Sequence, residues 1–288
     1  PELPWIPIFD FNGMFDGKGH TVSGIYLKTS AQYQGFFTTV QAQGVVKDLS
    51  IKNSYFCSTN ETLSMIGTIA GDFRGTLDGV YSDAIVVAHG PQVAGVIARA
   101  NDNDASGVTS DKILMTNCWF DGEVHAKGEA TTYAGGLVSA VIQGDLEINH
   151  CLNTGTIYSE CTGRAIHVAG LVGSVSHVEA RLVIKDSLNA GKIEAAYDVG
   201  VGSVLGRAST EKHSATFENV YTTEESHIKS IGTSSGTFYG GPIRIPESLY
   251  IGDNAYKYTN LDFERNWTLM KSGIPVLQQF ATEKSSTE

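Results

Sequence analysis

The sequence predicts an all-β protein: a right-handed parallel β-helix (β-solenoid) of about six to seven coils with N- and C-terminal caps. Three observations predict it. A short glycine-containing phrase recurs along most of the chain. Inside each phrase apolar residues alternate with period two, and valine, isoleucine and threonine are common. No window carries the long 3.6-period pattern that helical repeats need.

The clearest copy spans residues 167–195. Residues 168–175 are small and apolar around Gly170 and Gly173, residues 182–188 alternate, and Asn189-Ala190-Gly191 turns into a third short strand from Lys192. The matching first segments are 34–40, 65–71, 93–99, 134–141, 168–175 and 201–208. The second segments are 45–53, 75–83, 113–124, 146–157, 182–193 and 215–223. One glycine per copy (Gly35, Gly67, Gly95, Gly136, Gly170, Gly202) gives steps of 32, 28, 41, 34 and 32 residues. A propeller blade needs about 40 to 45 residues, so three short strands per copy fit one solenoid coil better. A coil cannot bury its own apolar face and must stack on neighbours. The right hand follows from the crossover preference of parallel strands.

Stacking turns aligned positions into columns. Leu49, Val80, Cys118, Cys151, Ser187 and Val220 form one that points inward. Phe120, Asn153 and Asn189 form another, with Asn153 over Asn189 expected as a side-chain amide ladder. Gly122, Gly155 and Gly191 follow, expected to supply positive φ at a corner. Cys118 and Cys151 sit close enough for a disulfide, but a stack of buried thiols is the better reading. Cys57 and Cys161 fall in connecting loops.

Residues 1–280 read as a single β-helix domain. Within it, 1–33 form the N-terminal cap and first coil, 34–223 the repeat coils, and 224–280 a C-terminal coil and closing cap. Asp16-Gly17-Lys18-Gly19 reads as a turn between two extended pieces. Residues 281–288 read as a tail or linker, and a chain starting at Pro1 reads as part of a longer one. A net charge of −11 argues against a nucleic-acid or anionic-membrane surface. No apolar run is long enough for a membrane-spanning helix.

Candidate sites are few. Asp102, Asp104 and Ser106 match the first half of a calcium loop, but the twelfth position is Ile113 where a bidentate glutamate is needed. Calcium therefore stays a weak candidate and no cofactor is expected. Tyr250, Tyr256 and Tyr258 could form a sugar-stacking surface or pack against the last coil. None of the eight histidines belongs to an H-E-x-x-H motif. The column Asp48, Gly79, Asn117, His150, Asp186, Asn219 never places carboxylates in adjacent coils, as a glycoside hydrolase would require. The chain is thus expected not to be an enzyme.

The phrases AGLVGSV and AGGLVSAV resemble the GLUG repeat of bacterial surface proteins. FNGMFDGKGHTVSGIYL, GFFTTV and GVVKDLSIKN are similar to the opening coil of such domains, and WTLMKSGIPVLQQF to their closing segment. The resemblance covers nearly the whole chain, although 65–71 and 93–99 depart from the Gly-Leu pattern. It implies a right-handed parallel β-helix in large secreted or wall-attached bacterial proteins, including stalks of IgA-protease-type metallopeptidases. The expected role is a non-catalytic structural or adhesive module, extracellular and monomeric within a longer chain. Its expected partners are host or cell-surface glycans or proteins. A carbohydrate-active β-helix and a protease stalk are the alternatives.

Overall fold

The structure is a computed structural model and describes residues 3–102, 112–128, 132–162, 166–176, 180–197, 200–209, 212–223 and 228–281. The chain winds into a parallel β-helix, but each coil has four strands where three were expected. In the clearest coil they are Ile166–Ala169, Val172–Val175, Arg181–Asn189 and Lys192–Ala195. They belong to four sheets, here faces one to four, and each pairs in parallel with a neighbouring coil.

The extra corner falls inside the small apolar segment, and the glycines explain it. A Cβ on Gly170 would lie 2.2 Å from the side-chain carbonyl carbon of Asn189, which faces it inside the same coil. Gly136 stands in the same relation to Asn153 at 2.7 Å, and Gly95 to the Phe120 ring at 2.4 Å. The first glycine of the phrase therefore makes room for a side chain from face three. The second serves a different contact: a Cβ on Gly173 would sit 2.5 Å from the Ser139 carbonyl and 2.7 Å from that of Ala134.

The register also corrects the glycine column. Gly202 pairs with Ala169, and Ala94 pairs with Gly135. Gly95, Gly136 and Gly170 thus stand one position after the column that holds Gly35, Gly67 and Gly202. Equal spacing cannot distinguish two adjacent glycine positions that serve different contacts.

The inward column holds as read: Leu49, Val80, Cys118, Cys151, Ser187 and Val220 are all buried. The amide ladder is present, with Asn153 Nδ2 donating to Asn189 Oδ1 at 2.7 Å. Each Oδ1 also accepts the backbone N–H two residues on, from Gly155 and Gly191. Gly122, Gly155 and Gly191 do not have positive φ. They are needed because a Cβ would lie 2.1–2.5 Å from a carbonyl oxygen of the coil before.

All four cysteines are free and buried. Cys57 lies in the strand Tyr55–Ser58 rather than in a loop, and Cys161 closes against the core just after Thr156–Ser159. Burial pushes the Cys118 thiol well up, and the neighbouring Cys151 adds to the shift.

Trp5 stacks on Phe36 at 4.8 Å and Phe11 packs on Phe37, closing the first coil. Residues 16–19 are not a turn between two pieces. They form a bulge inside one strand, Met14–Ser23, with Lys18 and Gly19 at positive φ.

At the other end, Ile231–Ser234, Thr237–Gly240 and Ile243–Ile245 extend faces two and three. The chain then does something the sequence reading did not anticipate. Residues 246–281 run back along the outside of face three as an arm. Asn260 Nδ2 reaches Asp186, and Gln279 Nε2 donates to the Gly79 carbonyl 200 positions earlier in the chain. The arm includes the antiparallel pair Trp267–Leu269 and Pro275–Leu277.

Candidate functional site

Face three carries the features that could do chemistry, and they start from its bend. The column Asp48, Gly79, Asn117, His150, Asp186, Asn219 has positive φ at every member, from 45° to 64°. Asp, Asn and His tolerate this conformation better than other side chains, and glycine tolerates it best. The residue types once weighed as a carboxylate column are thus those a left-handed bend selects.

Their side chains bond to neighbours in adjacent coils and in the arm. Thr116 Oγ1 and Asn117 Nδ2 both donate to Asp78 Oδ1, at 2.7 and 2.9 Å. Asn219 Nδ2 and Asn260 Nδ2 donate to Asp186 Oδ1 at 2.8 and 3.1 Å. His150 Nε2 lies 3.9 Å from Asp186 Oδ2, and Lys47 bridges Asp16 and Asp48 at 3.2 and 3.6 Å. Lys18 and Lys47 hold the Asp16 carboxyl below its usual range, the Lys18 backbone N–H contributing most.

Two residues beyond the bend is a second column that points outward: Tyr81, Trp119, Leu152, Leu188, Tyr221. Ile245 and the arm residues Tyr250, Leu261, Trp267, Val276, Leu277 and Phe280 cover it. Burial raises the Tyr81 hydroxyl far above its ordinary range, helped by Asp121 and Asp83. Alternation about the inward column puts these residues on the outer surface. Five large apolar side chains in an outward column were the missed signal that something must cover them.

Where the end of the arm meets the bend lies a cleft of about 270 Å³, lined by Gly79, Arg265, Asn266, Leu277, Gln278 and Gln279. It offers amides and one guanidinium, groups suited to holding a polar ligand by hydrogen bonds.

A second buried polar group sits where faces one and two meet. Asp72 is almost fully enclosed, with Arg74 Nη2 at 2.8 Å and Arg99 Nε at 3.4 Å. Arg99 donates onward to the Tyr33 hydroxyl and Arg74 to Gln41 Oε1. Burial raises the Asp72 carboxyl; the two arginines oppose this. Farther along the same junction, Arg207 Nη1 contacts His167 Nε2 at 2.8 Å, and the Tyr133 ring lies 5.2 Å away. Burial and Arg207 lower the His167 imidazole to about 4.

The three tyrosines do not form a joint surface. Tyr250 is 8 % exposed inside the arm's own core and presents no face for stacking. Tyr256 is exposed and rests on Phe263 at 4.5 Å, while the Lys257 ammonium lies over the Tyr258 ring. Of the calcium candidates, Asp102 bonds through its backbone to the Gln143 carbonyl; Asp104 and Ser106 lie outside the described residues. Among the described residues no three His, Cys, Asp or Glu side chains cluster as a metal set, and no helix is long and apolar enough to cross a membrane.

The fold and its columns define a parallel β-helix with a docked C-terminal arm, and a solved structure shares the overall fold. That structure, described as a "putative immunoglobulin A1 protease" from Bacteroides ovatus, superimposes with a TM-score of 0.61. It covers 92% of this chain and 77% of that one at 17% identity, a likeness of fold alone. No family model matches the chain. Halomucin of Haloquadratum walsbyi is 29% identical over 94 residues, 32% of this chain. A "Putative Gly-rich membrane protein" of Evansella cellulosilytica is 28% identical over 81 residues, 26% of this chain. These matches span 1% and 9% of the two relatives' lengths.

Proposed function

We propose that this chain is a non-catalytic structural or adhesive module of a large bacterial surface or secreted protein. One observation carries the reading. The polar residues of the face-three bend, the most reactive-looking set in the sequence, bond to their neighbours in adjacent coils and in the arm. Groups held this way stiffen a rod, which supports a structural role over acid–base catalysis. The resemblance of its glycine phrases to GLUG repeats supports an extracellular setting.

A protease stalk is the second reading. It is favoured by the likeness over most of the chain to a structure described as a putative immunoglobulin A1 protease. That likeness bears on architecture, and a stalk is itself a non-catalytic module.

The test has two parts. The purified chain is incubated with a polysaccharide panel and with immunoglobulin A, and products are followed by new reducing ends, unsaturated sugars and peptide fragments. Turnover of any of these refutes the non-catalytic reading. A glycan array with calcium and with chelator then separates the two forms of the proposal: specific binding makes the module adhesive, and none makes it a spacer. Binding lost in chelator would show a calcium requirement and revive Asp102, Asp104 and Ser106 as candidate ligands.

A further inference from the structure

The two ends of the solenoid are built differently from its middle. On face three one outward ladder runs from Met14 through Val45, Thr76 and their successors to Thr216 and Tyr239. Its interior members are half-buried by the coils on either side. Its ends are not: Met14 is 69 % exposed and Tyr239 59 %. The neighbouring outward ladder starts at Thr21 and ends at Ile243, which is 48 % exposed.

The backbone edges match the side chains. Met14–Ser23 is the first strand of face three, and Thr237–Gly240 with Ile243–Ile245 are its last. On face two the chain enters through the bridges at Ile8 and Phe11 and leaves through Ile231–Ser234. In the entering segment Trp5, Ile8 and Phe11 pack on the core, while Leu3, Ile6 and Phe9 face away from it at 82–83 % exposure. An apolar end next to an open strand edge is a template for another chain.

We propose that copies of this chain associate head to tail, the last coil of one stacking on the first coil of the next along faces two and three. The occupant is a second copy because the exposed ends are the two termini of the same ladders. Stacking places Tyr239 on Met14, a sulfur–aromatic contact, and Ile243 on Thr21. It continues the coil-to-coil interface already present inside the molecule. Among the described residues faces one and four stop earlier, their last strands being Val201–Gly202 and Lys192–Ala195, so the joint is made on two faces. Such a contact is heterologous and does not close, so it lengthens a rod. This departs from the monomer expected of the sequence.

The test uses the full chain in sedimentation velocity over a concentration series, with X-ray scattering for shape. The expected result is a species that grows in length at constant cross-section as concentration rises. Met14→Glu blocks one end and Tyr239→Glu the other, and each alone is expected to weaken self-association about tenfold or more. Both positions are exposed, so the fold survives, which circular dichroism checks. Mixing the two variants is expected to restore association only as far as a heterodimer, because each keeps one intact end. Tyr256→Glu, exposed on the arm, is expected to change nothing.

A chain that sediments as a monomer throughout overturns the proposal. So does a cross-section that thickens, or association lost in Met14→Glu but kept in Tyr239→Glu, which would mean two like ends meeting.

Discussion

Replacing Trp267 by alanine is expected to release the arm while leaving the coils folded. Trp267 is fully buried between the arm and the outward column of Tyr81, Trp119, Leu152 and Leu188. Removing a buried tryptophan costs about 3–5 kcal/mol. That loss falls on docking, because the coils keep their own separate core. At 1.36 kcal/mol per decade, the open fraction of the arm rises about a hundredfold or more. Hydrogen exchange by mass spectrometry reads this directly: residues 247–280 lose protection and the inner strands keep theirs. Phenylalanine makes a sharper control. The Trp267 indole N–H is buried with no acceptor, so Trp267→Phe removes an unpaired donor and costs less than about 1.5 kcal/mol. If arm and coils lose protection together, or if phenylalanine costs as much as alanine, the arm is not a separately docked element.

Three further outcomes follow from particular contacts. Gly170→Ala places a methyl group against the Asn189 amide, whose atoms are the three nearest to it at 2.2–2.3 Å; it should cost about 1–3 kcal/mol by urea titration and less in an Asn189→Ala background. The four thiols should resist Ellman's reagent in the native chain at pH 8 and all react in guanidinium, because each is buried and free; fewer than four after unfolding would mean a disulfide. His167 is neutral in the fold, its imidazole lowered from 6.5 to about 4. Its contribution is therefore complete above pH 6.5 and is lost as pH falls from 6.5 toward 4, by up to about 3 kcal/mol. His167→Gln should flatten urea stability across that window relative to the parent chain, and equal slopes would refute the assignment.

The stack of coils was legible because a solenoid repeats one set of contacts, and contacts that repeat leave a period. The inward column from Leu49 to Val220 and the Asn153–Asn189 amide pair could be placed from alignment alone for that reason. The first glycine of the phrase was visible but not its purpose: its neighbour is Asn189, 19 positions away and across the interior. The bend at Asp48, Asn117, His150 and Asp186 was visible as a column, but a test for paired carboxylates does not show its left-handed backbone. Left-handed backbone and catalysis both favour Asp, Asn and His, and composition does not separate them.

The sequence by itself determined the coil, the inward side chains and the absence of helical repeats, since these follow from alternation and local turn chemistry. Only the tertiary structure decided where residues 246–281 go. Nothing periodic links Trp267 to Trp119 or Gln279 to Gly79. The arm lies along the coils, not over their end, because the column from Tyr81 to Tyr221 is the large apolar surface its own side chains can cover. That match is one of shape and area between segments far apart in the chain, and such matches leave no mark in local sequence.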